Sequence, residues 1–541
     1  MCGIWALLSK LALPLNDMGK FYNAFMKIKH RGPDYSSFDL IRDNCLIGFH
    51  RLAIMDLTAD GNQPFKYVRS DGSCVYCICN GEIYDHEQIK KDYDIVTKSH
   101  SDCEIIIPLY EKIGVEKMVK LLGSEFAFII VDISKDGHIR LTAARDPIGV
   151  RPLFYAVNDT DVCFSSEMKG LSDLYDKVYV FPPGHYMVCE NDKMDLVPYY
   201  SYDYKVMDVV PEMEEIYAEI RKRFINSVRR RLVSDQPIGA LLSGGFDSSL
   251  VVGVMKMLMP DKKFSVFTIS FEGGTDLPYA QEVAKYLNLD HHIVNITEEE
   301  ALSAIDETIK CTETYDITSV RCSTVQLLVA KYIKHNTNVR VLKMGEGSDE
   351  ILSGYFYSRY SPTHQERFND AIRLVKDIHM FDGLRTDRTV AFSGIEARIP
   401  FLDKDFVDYI FSLPYEMTAP VDGLEKALLR NAFAPLKIMP DNISKRPKNA
   451  FSDAVSSRER SWYQIIQERI DKLISDEEFN SEKNKFKHCK PFTKESYYYR
   501  KKFVEFFGPS ETVSETIPYF WMPKWIKSDD PSARTIDSFK D

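Results

Sequence analysis

Residue 2 of this chain is a cysteine, and the apolar run G-I-W-A-L-L follows it. A buried strand gains little from a thiol at its first position. A nucleophile that uses its own α-amine must sit there. With Met1 removed, Cys2 carries a thiol beside an α-amino group whose reference pKa is roughly 7.7–8.0. That amine can accept the thiol proton and later return it to a leaving amine, so no histidine is needed. Chemistry of another kind is written in S-G-G-F-D-S-S, Ser243–Ser249. It joins a hydrophobic run to a helical pattern, where backbone N–H groups and the helix dipole hold an anion. No G-K-[ST] follows, so it is not a P-loop. It suits a pyrophosphate, with Asp247 placed to help hold Mg²⁺. A second loop, G-E-G-S-D-E (Gly345–Glu350), follows V-R-V-L-K-M. It sets carboxylates at the carboxyl end of a strand, where open α/β sheets bind ligands. Together the two loops point to a nucleotide site.

Four short stretches near the N-terminus add polar groups: H-R-G-P-D (His30–Asp34), F-H-R-L-A-I (Phe49–Ile54), C-N-G-E-I-Y (Cys79–Tyr84) and S-D-C-E (Ser101–Glu104). Arg51 in a strand needs a partner. Arg51, Asn80, Glu82 and Asp102 could grip both ends of an amino acid, the Arg on its α-carboxylate and the acids on its α-ammonium. Asn80 and Gly81 could donate to an oxyanion. Each alone reads as a turn or a surface charge, and only a nucleophile at Cys2 unites them. Further on, S-K-R-P-K-N-A-F-S-D carries Lys445, Arg446 and Lys448, cations that could neutralise a polyphosphate.

The elements that must position these groups change character along the chain. Up to about Tyr200 short strands dominate, with candidates Gly3–Leu8, Leu46–Met55, Val75–Asn80, Phe126–Asp132, Ile139–Ala143 and Val162–Ser165. Stacked antiparallel sheets with a few helices are expected there. P-E-M-E-E-I-Y-A-E-I-R-K-R-F then reads as an amphipathic helix. Strands P-I-G-A-L-L, F-S-V-F-T-I-S-F and V-R-V-L-K-M alternate with helical runs, the pattern of a parallel sheet. The boundary is expected near Tyr199–Pro211, and the last stretch is helical with an irregular tail.

At 541 residues the chain calls for at least two cores. A net charge of −11 argues against nucleic acid as a partner. Eleven cysteines without framework spacing suggest free thiols in a reducing compartment. In C-V-Y-C-I-C a strand would send Cys77 and Cys79 to one face and Cys74 to the other, so core thiols are expected rather than a metal site. No run approaches the length of a membrane span, and no basic leader precedes the first apolar run. A cytoplasmic protein is expected.

The motifs M-C-G-I-W, H-R-G-P-D, N-G-E-I-Y, R-D-P-I-G-V-R-P-L-F-Y, S-G-G-F-D-S-S, G-E-G-S-D-E, E-A-R-I-P-F-L-D and R-P-K-N-A-F-S-D stand in this order. Over essentially the whole length the chain resembles the glutamine-hydrolysing asparagine synthetase family. The resemblance implies an α+β N-terminal nucleophile glutaminase domain over residues 1–200. An α/β ATP-pyrophosphatase synthetase domain with a parallel sheet would occupy 211–541. It implies that Cys2 attacks glutamine, with Asn80 and Gly81 at the oxyanion and Arg51, Asn80, Glu82 and Asp102 binding glutamine. ATP would meet Leu242, Ser243, Gly244, Gly245, Asp247, Ser248, Ser249, Ile269, Gly345 and Lys448. Mg²⁺ would meet Asp247 and Asp349. Glu346 would be the catalytic acid-base group and would handle aspartate together with Arg398; E-T-Y-D-I-T-S-V-R (Glu313–Arg321) also matches the aspartate-handling part. The resemblance implies glutamine, aspartate and ATP as partners and suggests a homodimer, with no nucleic acid and no membrane. Two other readings stay open on the residues alone: an amidotransferase acting on a different carboxylate, and a non-catalytic scaffold. The second predicts lost catalytic residues, yet Cys2, Asn80, Asp247 and Glu346 are all present.

Overall fold

The computed structural model describes residues 1–447, 455–457 and 459–535. Strand Gly3–Ser9 lies between Cys45–Arg51 and Asp161–Ser165 in a six-stranded antiparallel sheet. A second six-stranded antiparallel sheet carries Cys74–Glu82 between Phe65–Val68 and Glu125–Ile133. Alternate side chains meet between the sheets: Ile4, Ala6, Ile47 and Phe49 from the first pack on Ile78, Ile129, Val131 and Leu141 from the second. The outer faces are covered by helices. Phe21 and Phe25 of Met18–Met26 cover Trp5 and Leu46, and Ile106, Leu109 and Met118 of Ile106–Leu121 cover Val75, Phe128 and Ile130. Cys77 and Cys79 join the second helix-covered core, and Cys74 packs on the opposite face.

The expected strand Leu46–Met55 stops at Arg51. There the chain turns, Asp56 takes a φ of 53°, and the Arg51 guanidinium gathers the carbonyl oxygens of Met55, Asp56 and Thr58. Strands Tyr35–Arg42, Phe154–Val157 and His185–Glu190 were not expected; their polar or short runs hide the period-2 signal.

The C-terminal half holds a five-stranded parallel sheet ordered Asp290–Asn295, Ser265–Ser270, Ile238–Leu241, Val341–Lys343, Glu396–Arg398. The expected amphipathic helix spans Met213–Arg230 and buries Ile216, Ile220, Phe224 and Val228. The segment between the last strand of the second sheet and that helix is held along its length. Tyr199 Oη donates to the Arg145 carbonyl at 2.6 Å, Tyr200 Oη to Asp408 at 2.6 Å, and Tyr202 Oη to the Pro147 carbonyl at 2.7 Å. Among the described residues no helix is long and apolar enough to cross a membrane.

Candidate functional site

The first site forms where the two antiparallel sheets meet the edge of the parallel sheet. Cys2 packs beside Leu52, Ile54, Met55 and Val341. Its thiol lies 3.8 Å from the Leu52 carbonyl oxygen. Its own carbonyl accepts from Arg31 Nε at 2.9 Å. Arg31 is wholly buried and spends its remaining donors on Glu167 at 2.7 Å and Asp387 at 2.7 and 3.0 Å. Asp34 of H-R-G-P-D accepts from the Ala53 amide. The Met1 ammonium lies 3.1 Å from Glu396. Burial pushes the Cys2 thiol up to about 11, against the pull of that ammonium. With Met1 attached, the Cys2 nitrogen is an amide and its thiol stays protonated, so it is a weak nucleophile.

Asn80 lies in the strand Cys74–Glu82, two residues before its end. It is fully buried, and neither its Oδ1 nor its Nδ2 has a partner among the described residues. A buried amide left unsatisfied costs about 1–3 kcal/mol, and native cores rarely tolerate it without a ligand to supply the bonds. Gly81 follows because the neighbouring strand is too close for a side chain: a Cβ there would sit 2.4 Å from the Glu125 carbonyl oxygen. Glu82 Oε2 lies 2.9 Å from Arg398. Burial and the neighbouring Glu396 push the Glu82 carboxyl well above the usual carboxylate range, with Arg398 opposing. Asp102 accepts from the Ile83 amide at 2.6 Å. Arg51 has turned inward to its own loop, donating to the Thr58 carbonyl and Asn62 Oδ1 at 2.7 Å each.

The second site is a cavity at the carboxyl end of the parallel sheet. It is lined by Leu242, Ser243, Asp247, Ser248, Ile269, Gly345, Glu346 and Asp349, all expected from the sequence. The loop before helix Phe246–Leu258 is closed by Ser243 and Ser248, whose hydroxyls lie 2.9 Å apart, and by the Gly245 amide on Ser243 Oγ at 3.2 Å. Gly244 has φ +80°, and a Cβ on it would meet the Ala280 nitrogen at 2.4 Å. The two loops are tied by Ser348 Oγ donating to Asp247 Oδ1 at 2.8 Å. Ser249, expected at the nucleotide, is instead fully buried behind the loop. Lys448 lies outside the described residues. Arg446 reaches the Gly244 carbonyl at 3.1 Å, pairs with Asp276 and covers the Tyr279 ring at 3.8 Å.

Arg398 requires a correction. It does not line this cavity; it is wholly buried between Glu82 and Glu396 and donates to the Arg231 and Val233 carbonyls. Its strand is the edge of the parallel sheet that abuts the first site, so its charge serves the other half. Glu313 and Arg321 also stay out of the cavity. Glu313 accepts from the Met168 and Lys169 amides, and Arg321 pairs with Glu495 and Asp530.

Sequence reasoning missed three groups that line the cavity or pair with its carboxylates. Lys426 is buried and lies 2.6 Å from both Asp247 and Asp349. Arg385 lies 3.1 Å from Glu346 Oε1, and Gln326 Nε2 lies 3.4 Å from the same oxygen. Each sits in a helix or turn far along the chain from the glycine-rich loops, with no motif of its own. Two acidic oxygens converging on one ammonium show a place for positive charge. Oxygen donors of this kind fit Mg²⁺, which takes one or two carboxylates together with substrate phosphates.

The chain matches two family models: the glutamine amidotransferase domain over residues 1–176, and asparagine synthase over 219–374 and 361–516. It is 39% identical to a probable asparagine synthetase [glutamine-hydrolyzing] of Acanthamoeba polyphaga mimivirus, covering 99% of this chain and 100% of that one. It is 39% identical to the Gallus gallus asparagine synthetase and 38% to that of Homo sapiens, each over 100% of this chain and 99% of the relative.

Proposed function

The chain belongs to the glutamine-hydrolysing asparagine synthetase family, and from that premise we propose how its two sites divide the reaction. It is an ATP-dependent ligase that makes asparagine with nitrogen from glutamine. The division falls between residues 1–200, the N-terminal nucleophile glutaminase domain, and 211–541, the synthetase domain.

Once Met1 is removed, Cys2 attacks the side-chain amide carbon of glutamine. Its thiol proton passes through the new α-amine to the departing nitrogen. Ammonia leaves, and water hydrolyses the thioester to glutamate. The Asn80 amide and the Gly81 N–H stabilise the oxyanion. Glu82 and Asp102 receive the substrate's ammonium, and Arg51 must release part of its loop to reach the carboxylate.

In the second site aspartate's β-carboxylate attacks the α-phosphorus of ATP. Pyrophosphate leaves into the Ser243–Ser249 loop and helix N-terminus, with Lys426, Arg446 and Lys448 compensating its charge. Bound Mg²⁺, held by Asp247 and Asp349, would neutralise the leaving pyrophosphate. Ammonia arrives internally, because bulk water at neutral pH would protonate it. It attacks the acyl carbon, AMP leaves, and Glu346 takes the excess proton. Ile269 flanks the adenine. A cytosolic homodimer completes this reading, and light scattering measures that stoichiometry.

The observation that best supports the first half is the orphaned Asn80 amide. Cys2→Ala tests the division of labour. Glutamine-dependent asparagine formation falls to background, while synthesis driven by ammonium continues. Loss of both would show that the sites do not work separately.

A further inference from the structure

Strand Val341–Lys343 runs from one site to the other. Val341 joins the small apolar cluster against which Cys2 packs. Gly345 and Glu346, immediately beyond the strand, line the nucleotide cavity. At about 3.3 Å per residue the extended chain covers about 13 Å between Val341 and Gly345. Side chains alternate, so Lys343 shares the face of Val341, the face turned towards Cys2. Leu342 faces the opposite core.

Lys343 is wholly buried, and its Nζ has no hydrogen-bond partner among the described residues. Its surroundings come from both halves of the chain. Glu125 belongs to the second antiparallel sheet, Arg231 follows helix Met213–Arg230, and Glu396 and Arg398 lie on the next strand, where Arg398 pairs in register with Lys343. Those acids already have cations. Glu125 is 2.9 Å from Arg151 and 2.8 Å from Arg231; Glu396 is 2.7 Å from Arg398. Lys343 is therefore a polar group surplus to the ion pairs around it.

We propose that Lys343 is a positioning residue for ammonia in transit, a buried and unpartnered side-chain nitrogen that hydrogen-bonds the molecule midway between Cys2 and the nucleotide cavity. The inference rests on the reading that ammonia passes internally between these sites. Burial, with Arg398 and Arg231 nearby, drives the Lys343 ammonium well below the usual lysine range. The state of the amine matters to what it can do. A charged lysine could pass its proton to ammonia and destroy the nucleophile. A neutral one accepts an ammonia N–H and donates to its lone pair, and no proton changes hands.

The test measures glutamate formed per asparagine formed in the full-length enzyme, with glutamine as nitrogen source. Each preparation is referred to its own rate with saturating ammonium, so a general loss of activity cancels. For Lys343→Met the glutamate-to-asparagine ratio rises about fivefold, the partition shift of one neutral hydrogen bond. Lys343→Gln, which keeps a donor and an acceptor, restores the wild-type ratio and carries the test if the Met variant does not fold. An unchanged ratio in Lys343→Met, or equal uncoupling in the Met and Gln variants, overturns the inference. A wild type that makes no asparagine from ammonium overturns the two-site reading instead.

Discussion

The two sites of this enzyme are assembled in opposite ways. Among the described residues the nucleotide cavity is lined by residues between Leu241 and Val455, and its loops are braced by contacts within the same half of the chain. The glutaminase site lies in the other half of the chain but borrows its charges from this one. Glu396 meets the N-terminal ammonium, Arg398 meets Glu82, and Asp387 holds the Arg31 that holds Cys2. The synthetase half could keep its site without the glutaminase half, whereas the reverse does not follow. The dependence also has a chemical meaning: the strand that aims the thiol's surroundings belongs to the sheet that activates aspartate.

Glu396→Gln would break this comparison most strongly. Removing one partner of a buried ion pair costs about 3–5 kcal/mol. The loss should appear in the unfolding midpoint and in glutamine hydrolysis, while ammonium-driven synthesis in the folded fraction survives. The variant also has a pH signature. Burial acts to raise the Glu396 carboxyl, but the Met1 ammonium, Arg398 and Arg151 hold it well below its ordinary value of 4.5, and both arginines remain once Met1 is removed. As pH falls below that value the unfolded chain takes up the proton first, so wild-type stability from this group is present above pH 4.5 and is lost below it. Glu396→Gln lacks that contribution at every pH, and its acid limb should be flatter. A parallel limb would remove Glu396 from the account.

Asn80→Ala sharpens the contrast from the other side. Loss of one oxyanion donor lowers glutaminase kcat by about 10²–10³. The protein should lose little stability, because the amide is unsatisfied in the free enzyme. A large fall in melting temperature with unchanged kcat would assign Asn80 a structural role. The smallest effect is expected at the local site. Ser348→Ala removes one hydrogen bond to a carboxylate, worth about 1.5–3 kcal/mol. It should raise KM for ATP and leave glutamine hydrolysis alone; a glutaminase defect would show that the nucleotide loops are not self-contained.

The same contrast explains how much was legible in the sequence. The nucleotide site was readable because its phosphate chemistry requires glycines, hydroxyls and carboxylates at a strand end, and Ser243, Asp247, Ser248, Gly345, Glu346 and Asp349 do line one cavity. Cys2 was singled out from its position alone. Arg398 was misplaced because a charge in a short strand says nothing about which face or neighbour receives it. Lys426 was missed for a related reason. Its acidic partners, Asp247 and Asp349, lie well upstream in the chain, and only the folded sheet brings them together. In the sandwich the strands with strong apolar runs were found, while polar edge strands such as Tyr35–Arg42 carried no comparable signal.

The row of tyrosine hydroxyls along residues 199–202 has a mechanical consequence. A connector pinned at three successive points cannot serve as a swivel. The halves should therefore melt together in a single calorimetric endotherm, and brief protease treatment should spare this stretch although it connects the two halves of the chain.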